Sequence, residues 1–129
     1  GMHENSPPGS VYALDLSGLK APGLSFYAGW EGPMLVVIGA IKTIDDESAE
    51  IKSMRTHTAH LRKGFAALML THLLAEAKAR GHRRLSLETG SGPAFEPAIA
   101  LYLRHGFQSG PAFGEYQKSD FNQFFHLEI

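Results

Sequence analysis

The chain has 129 residues and a formal net charge of −1, with 12 Lys and Arg spread among 13 Asp and Glu. That length suits one domain with a real core and is too short for two, and the balanced charge offers no overall field to attract nucleic acid or anionic lipid. Cysteine is absent, which removes disulfides, thiolate nucleophiles and Cys-ligated zinc together and fits a reducing, cytoplasmic setting.

The opening "GMHENSPPGS" has neither a basic n-region nor an apolar h-region, and no apolar run approaches the roughly 20 residues a membrane helix needs, so a soluble protein without membrane contact is expected. Residues 3–23 hold Pro7, Pro8 and Pro22 around one short apolar piece, "VYALDL", and read as loop with a short helix. "LSFYAGWEGPMLVVIGAIKTID" is two strand-forming runs split by Glu31-Gly32-Pro33, a hairpin signal. "SAEIKSMRTH", residues 48–57, alternates Ile51, Ser53 and Arg55 with Glu50, Lys52, Met54 and Thr56, which predicts a third antiparallel strand with those two sets on opposite faces.

From Lys63 to Arg80 apolar residues recur at helical spacing, at Ala66, Leu70, Leu73, Leu74 and Ala77, with Gly81 as the stop. "RRLSLETG" is a short strand, and Pro97 opens a second helix, "PAIALYLRHG", closed by Gly106. The tail supplies two further strand-like pieces around a polar loop. The order β-β-β-α-β-α-β-β describes one α/β domain of the α+β type over residues 1–129, with a mixed, largely antiparallel sheet flanked by helices.

The segment "HLRKGFAALML" places Gly64 at a helix start. The first four amides of a helix lack intrahelical partners and sit at the positive end of the macrodipole, so they favour an anion. Gly64 permits close backbone approach, Ala66 keeps the first turn slim, and Arg62 and Lys63 add charge, a combination that suits a diphosphate. Neither a Walker A loop nor a Gly-x-Gly-x-x-Gly motif is present. A helix start that merely contains a glycine is the plain alternative.

"AEIKSMRTHTAHLRKGFAALMLTHLLAEAKARG", followed by "RRLSLETG" and "AIALYLRHGF", resembles the GNAT superfamily of N-acetyltransferases. The resemblance runs over about residues 24–129 in element order and is dense from Ala49 to Phe107. It implies acetyl-coenzyme A as cosubstrate, with its pyrophosphate on the amides of Arg62, Lys63, Gly64, Phe65 and Ala66 and its pantetheine arm paired with backbone at Met54, Arg55 and Thr56. Two positions depart from the family pattern. Leu61 stands where the loop normally carries Gln or Arg, and the strand and helix that family members place ahead of the hairpin have little room here. A truncated start, or a second chain completing the fold in a homodimer, follows as an expectation.

Without a cysteine or a Gly-x-Ser-x-Gly elbow, direct attack by an amine in a ternary complex is the mechanism that remains. The resemblance places Tyr102, in "ALYLRHGF", as the acid that protonates the departing thiolate; the alternative is packing with Ile99 and Leu103 on one helix face. Glu50, fourteen residues before Gly64, matches the glutamate base of the histone-acetylating branch; the alternative is an exposed carboxylate paired to Lys52 or Arg84. Glu88 is a second candidate base. His57 and His60 form an i, i+3 pair without a third ligand, so no metal is expected. The aromatic tail, Tyr116, Phe121, Phe124 and Phe125, reads as core and dimer contact. An amine of a small molecule, peptide or protein is the expected acceptor; a non-catalytic acyl-CoA-binding or assembly module is the alternative function.

Overall fold

The computed structural model describes residues 15–19, 23–57 and 64–129. Among the described residues seven strands form one sheet in the order β1-β2-β3-β4-β5-β7-β6. They are β1 (Asp15–Leu19), β2 (Leu24–Glu31), β3 (Met34–Thr43), β4 (Ser48–Thr56), β5 (Arg84–Thr89), β6 (Gln108–Ser109) and β7 (Gln123–Glu128). Helix α1 (Phe65–Ala79) joins β4 to β5, and α2 (Glu96–Arg104) follows β5. Every pairing is antiparallel except β4 with β5, as expected when a crossover helix separates two neighbouring strands.

The expected order holds, with one correction at the front. Asp15–Leu19 pairs antiparallel with Phe26–Trp30, so the piece read as loop with a short helix ends in a strand, while most of "VYALDL" lies outside the described residues. Pairing with a neighbour supplies what local propensity lacks. Gly18 fits that edge because a Cβ there would stand 2.7 Å from the carbonyl oxygen of Phe26.

The hairpin forms as predicted, Glu31 facing Met34 across Gly32-Pro33. Helix α1 lays Phe65, Met69, Leu70, Leu73 and Ala77 on the sheet, against Val37, Ile41, Ala49, Ile51, Leu85 and Leu87, all buried. Burying each large aliphatic side chain stabilises the fold by about 1.5–3 kcal/mol. Gly39 lets helix and sheet close, since a Cβ would come within 3.0 Å of Met69 Cγ. No helix among the described residues is long and apolar enough to cross a membrane.

Strand β4 departs from regular alternation. Ala40 faces Lys52 and Ile38 faces Arg55, so Ser53 and Met54 together oppose Gly39, and Ser53 takes φ 56°. This is a β-bulge, and it reverses the side-chain phase of the strand. Ahead of it Ala49 and Ile51 point to the helices and Glu50 and Lys52 to the other face. Beyond it Thr56, opposite buried Val37, and Met54 turn to the helix side. The predicted grouping of Glu50 and Lys52 with Met54 and Thr56 is therefore corrected by one inserted residue.

Candidate active site

The parallel ladder between β4 and β5 is short. Ser48, Ala49 and Glu50 pair with Arg84, Leu85 and Ser86, and beyond that register β4 runs on to Thr56 and β5 to Thr89 without pairing each other. The sheet thus splits just past Glu50. Backbone polar groups that a closed ladder would use stay available along the inner edges of the split, where an extended amide-bearing chain can pair like an added strand.

On the helix side of the split lies a groove of about 440 Å³, lined by Met54, Thr56, Gly64, Phe65, Ala66, Ala67, Pro97, Ala98, Leu101, Tyr102 and Arg104 among others. Its floor is the bulged end of β4 and its walls are the starts of α1 and α2. Gly64, the residue before α1, has φ 83° and ψ 4°, a left-handed conformation that strains any residue with a Cβ. No side chain among the described residues caps α1, and its first turn holds no acidic residue. The amides of that turn accordingly present an uncompensated positive end to the groove.

Of the predicted cosubstrate residues, Met54, Thr56, Gly64, Phe65 and Ala66 line this groove. Phe65 does so mostly through backbone, because its ring is buried. Arg55 shares the opposite face with Ile38, its partner across β3, and its side chain is exposed; only its backbone belongs to the cleft edge. Arg62 and Lys63, with Leu61 and His60, lie outside the described residues. An extended arm ending in a diphosphate fits the open strand edge and the uncapped helix start. Gly64→Val is expected to weaken acetyl-CoA binding about tenfold or more, from the roughly 1–2 kcal/mol cost of a left-handed L-residue. Isothermal titration reads the affinity and circular dichroism checks that the fold persists.

Tyr102 is buried and lines the groove, its ring edge-on to Phe107 with centroids 5.8 Å apart. Leu103, the next residue, is 53% exposed and lies largely outside the core that holds Tyr102. Burial raises the Tyr102 phenol above its ordinary value, so it stays a proton donor.

Glu50 stands on the other face, at the vertex of the split, only 5% exposed. Tyr116 Oη donates a 2.5 Å hydrogen bond to Glu50 Oε2, and Lys52 Nζ lies 3.8 Å from the same oxygen. Glu50 is therefore buried rather than exposed, while the pairing with Lys52 that the alternative named is present; Arg84 is bound to Glu128 at 3.0 and 3.1 Å. A recess of about 440 Å³ opens beside Glu50, lined by Lys42, Thr43, Ile44, Lys52, Gly114, Glu115 and Tyr116. Glu88 lies half-buried on β5, 3.4 Å from Asn122 Nδ2. Phe124 and Phe125 are core as read, but Phe121 is 59% exposed and Tyr116 belongs to the Glu50 site. Nothing local marks Tyr116 in the sequence, because its partner is 66 residues away.

Comparisons with known proteins bear on the family and the fold. Residues 3–107 match the acetyltransferase (GNAT) family. The chain is 50% identical over 111 residues to the uncharacterized N-acetyltransferase YsnE of Bacillus subtilis (strain 168), covering 86% of this chain and 74% of that protein. It is 43% identical over 129 residues to the uncharacterized N-acetyltransferase YedL of Escherichia coli (strain K12), covering 100% and 81%. A GNAT family acetyltransferase from Elizabethkingia anophelis, solved with acetyl-CoA bound, shares the fold with a TM-score of 0.75 at 13% identity, over 90% of this chain and 98% of that one. A split parallel pair, an uncapped glycine-led helix start and a sequence match over most of the length converge: the chain belongs to the GNAT family of acetyltransferases.

Proposed function

We propose that the protein transfers an acetyl group from acetyl-CoA to a primary amine of a small molecule, peptide or protein by direct attack in a ternary complex. The observation that carries the reading is the split between β4 and β5, which sets Tyr102 on a groove at one face and Glu50 at its vertex on the other. Acetyl-CoA supplies the activated acyl group. Backbone of Met54, Arg55 and Thr56 along the open edge, and the amides of Gly64, Phe65 and Ala66, hold it.

The remaining chemistry falls to side chains. An amine reaches the split as an ammonium and must lose a proton before it attacks; the Glu50 carboxylate is the acceptor for that proton. The leaving sulfur needs a proton, and the Tyr102 hydroxyl, kept protonated by burial, is the donor. Glu88 is more distant from the vertex along β5 and serves as a second carboxylate on the same face as Glu50. The test is release of free CoA from acetyl-CoA with a panel of ethanolamine, spermidine, L-lysine and a lysine-containing peptide. Turnover with at least one amine is expected; binding of acetyl-CoA with no release beyond the amine-free rate would leave only an acyl-CoA-binding module.

A further inference from the structure

The Glu50 side of the split holds a cluster that neither the family match nor the relatives' names assign. Tyr116 is carried on the segment between β6 and β7, which is pinned to the sheet at several points. Gly110 N donates to the Phe124 carbonyl at 3.0 Å, and a Cβ on Gly110 would stand 2.6 Å from the His126 ring, so the segment lies hard against β7. His126 is 2.8 Å from the Pro111 carbonyl through Nε2 and 2.8 Å from Ser86 Oγ through Nδ1. Both ring nitrogens are therefore engaged between the segment and β5. Further along, Asn122 binds the Gln117 carbonyl at 2.9 Å and accepts from Ser119 N at 2.7 Å.

This scaffold fixes the Tyr116 ring. It meets Phe113 edge-on at 5.3 Å and Phe124 at 5.9 Å, and Lys52 Nζ stands 5.8 Å over its face. The same Nζ is 3.3 Å from Tyr116 Oη. Both the tyrosine hydroxyl and the ammonium thus converge on one oxygen of Glu50, Oε2. The other oxygen, Oε1, has no hydrogen-bond partner among the described residues and is the one left to meet an acceptor. Partial burial and the neighbouring Glu50 push the Tyr116 phenol well up, so it stays a donor at any physiological pH.

We infer that Tyr116 is a positioning residue that acts through Glu50, locking Oε2 so that Oε1 faces the acceptor amine at the vertex of the β4–β5 split. The inference rests on the acetyl-transfer reading and on Glu50 as proton acceptor. The segment between β6 and β7 thereby gains a role, since it closes the acceptor recess and carries the group that orients the base. A carboxylate free to rotate would meet the amine in the required geometry only part of the time.

The test uses the full chain with the same four-amine panel and acetyl-CoA. Tyr116→Phe removes only the hydroxyl and is expected to lower kcat about tenfold to hundredfold, with KM for acetyl-CoA unchanged within about twofold. Glu50→Gln lowers kcat at least as far, and the double variant is no slower than Glu50→Gln alone, because Tyr116 works only through that carboxylate. A structural loss would instead raise KM for acetyl-CoA and multiply with Glu50→Gln. Phenolate absorbance gives a readout independent of turnover: Glu50→Gln should make one tyrosine ionise at lower pH than in the wild type, burial still holding it above the ordinary tyrosine value. Full turnover by Tyr116→Phe, a multiplicative double variant, or an unchanged phenolate curve overturns the inference while acetyl transfer stands. Wild-type protein that binds acetyl-CoA yet turns over no amine overturns both.

Discussion

Tyr102→Phe is expected to lower kcat by about 10²–10³-fold while leaving KM for acetyl-CoA within about twofold, the range in which a single positioned general acid contributes. The substitution keeps the ring, its edge-on contact with Phe107 and its place in the groove wall, so binding and folding persist. What it removes is the hydroxyl, whose acidity burial has already weakened relative to the ordinary value of 10.0. The direction matters for the pH profile. A raised phenol stays protonated throughout the neutral range, so Tyr102 imposes no limb on the rate below about pH 10. Steady-state rates of CoA release between pH 6 and pH 10 with the best amine of the panel check both statements; a Tyr102→Phe rate close to wild type would remove Tyr102 from the chemistry.

Phe107→Ala is expected to be the most damaging single change to stability, at about 3–5 kcal/mol. Phe107 is 2% exposed and sits just after the left-handed Gly106 that ends α2, at φ 94°. Its amide donates to the Tyr102 carbonyl at 3.1 Å and its ring packs on the Tyr102 ring. Truncation leaves a cavity under the Tyr102 ring and loosens the end of the helix that carries it. Since small domains hold only about 5–15 kcal/mol in total, a large part of the stability goes with one side chain. Urea unfolding followed by far-ultraviolet circular dichroism measures the loss, and a midpoint within experimental scatter of wild type would show that the site collapses without cost.

Parts of this architecture are legible from residues alone. Helix α1 announces itself by spacing and by Gly64 and Gly81, and the hairpin by Glu31-Gly32-Pro33, because in both cases the determining interactions are local. Strand β1 is not legible: it consists of "DLSGL", and β2 makes it a strand. The bulge at Ser53 is hidden as well, since "EIKSMRT" alternates smoothly and only the register with β3 shows the phase reversal. Tyr102 and Glu50 come from the family resemblance rather than from composition. The burial that distinguishes Glu50 from a surface carboxylate depends on Tyr116, and a contact spanning 66 residues leaves no mark on either neighbourhood.

The bulge also divides labour within a single strand. Up to Lys52, outward positions of β4 line the recess beside Glu50; from Met54 onward, its helix-side positions line the groove beside Tyr102. Because Ser53 absorbs the change of phase, Lys52 and Met54 point to opposite faces, and a substitution at Lys52 leaves the groove lining at Met54 and Thr56 untouched. Under the proposed function, one strand can therefore drift in acceptor preference while its contact with the acyl donor is held constant, with an exposed serine as the boundary between the two.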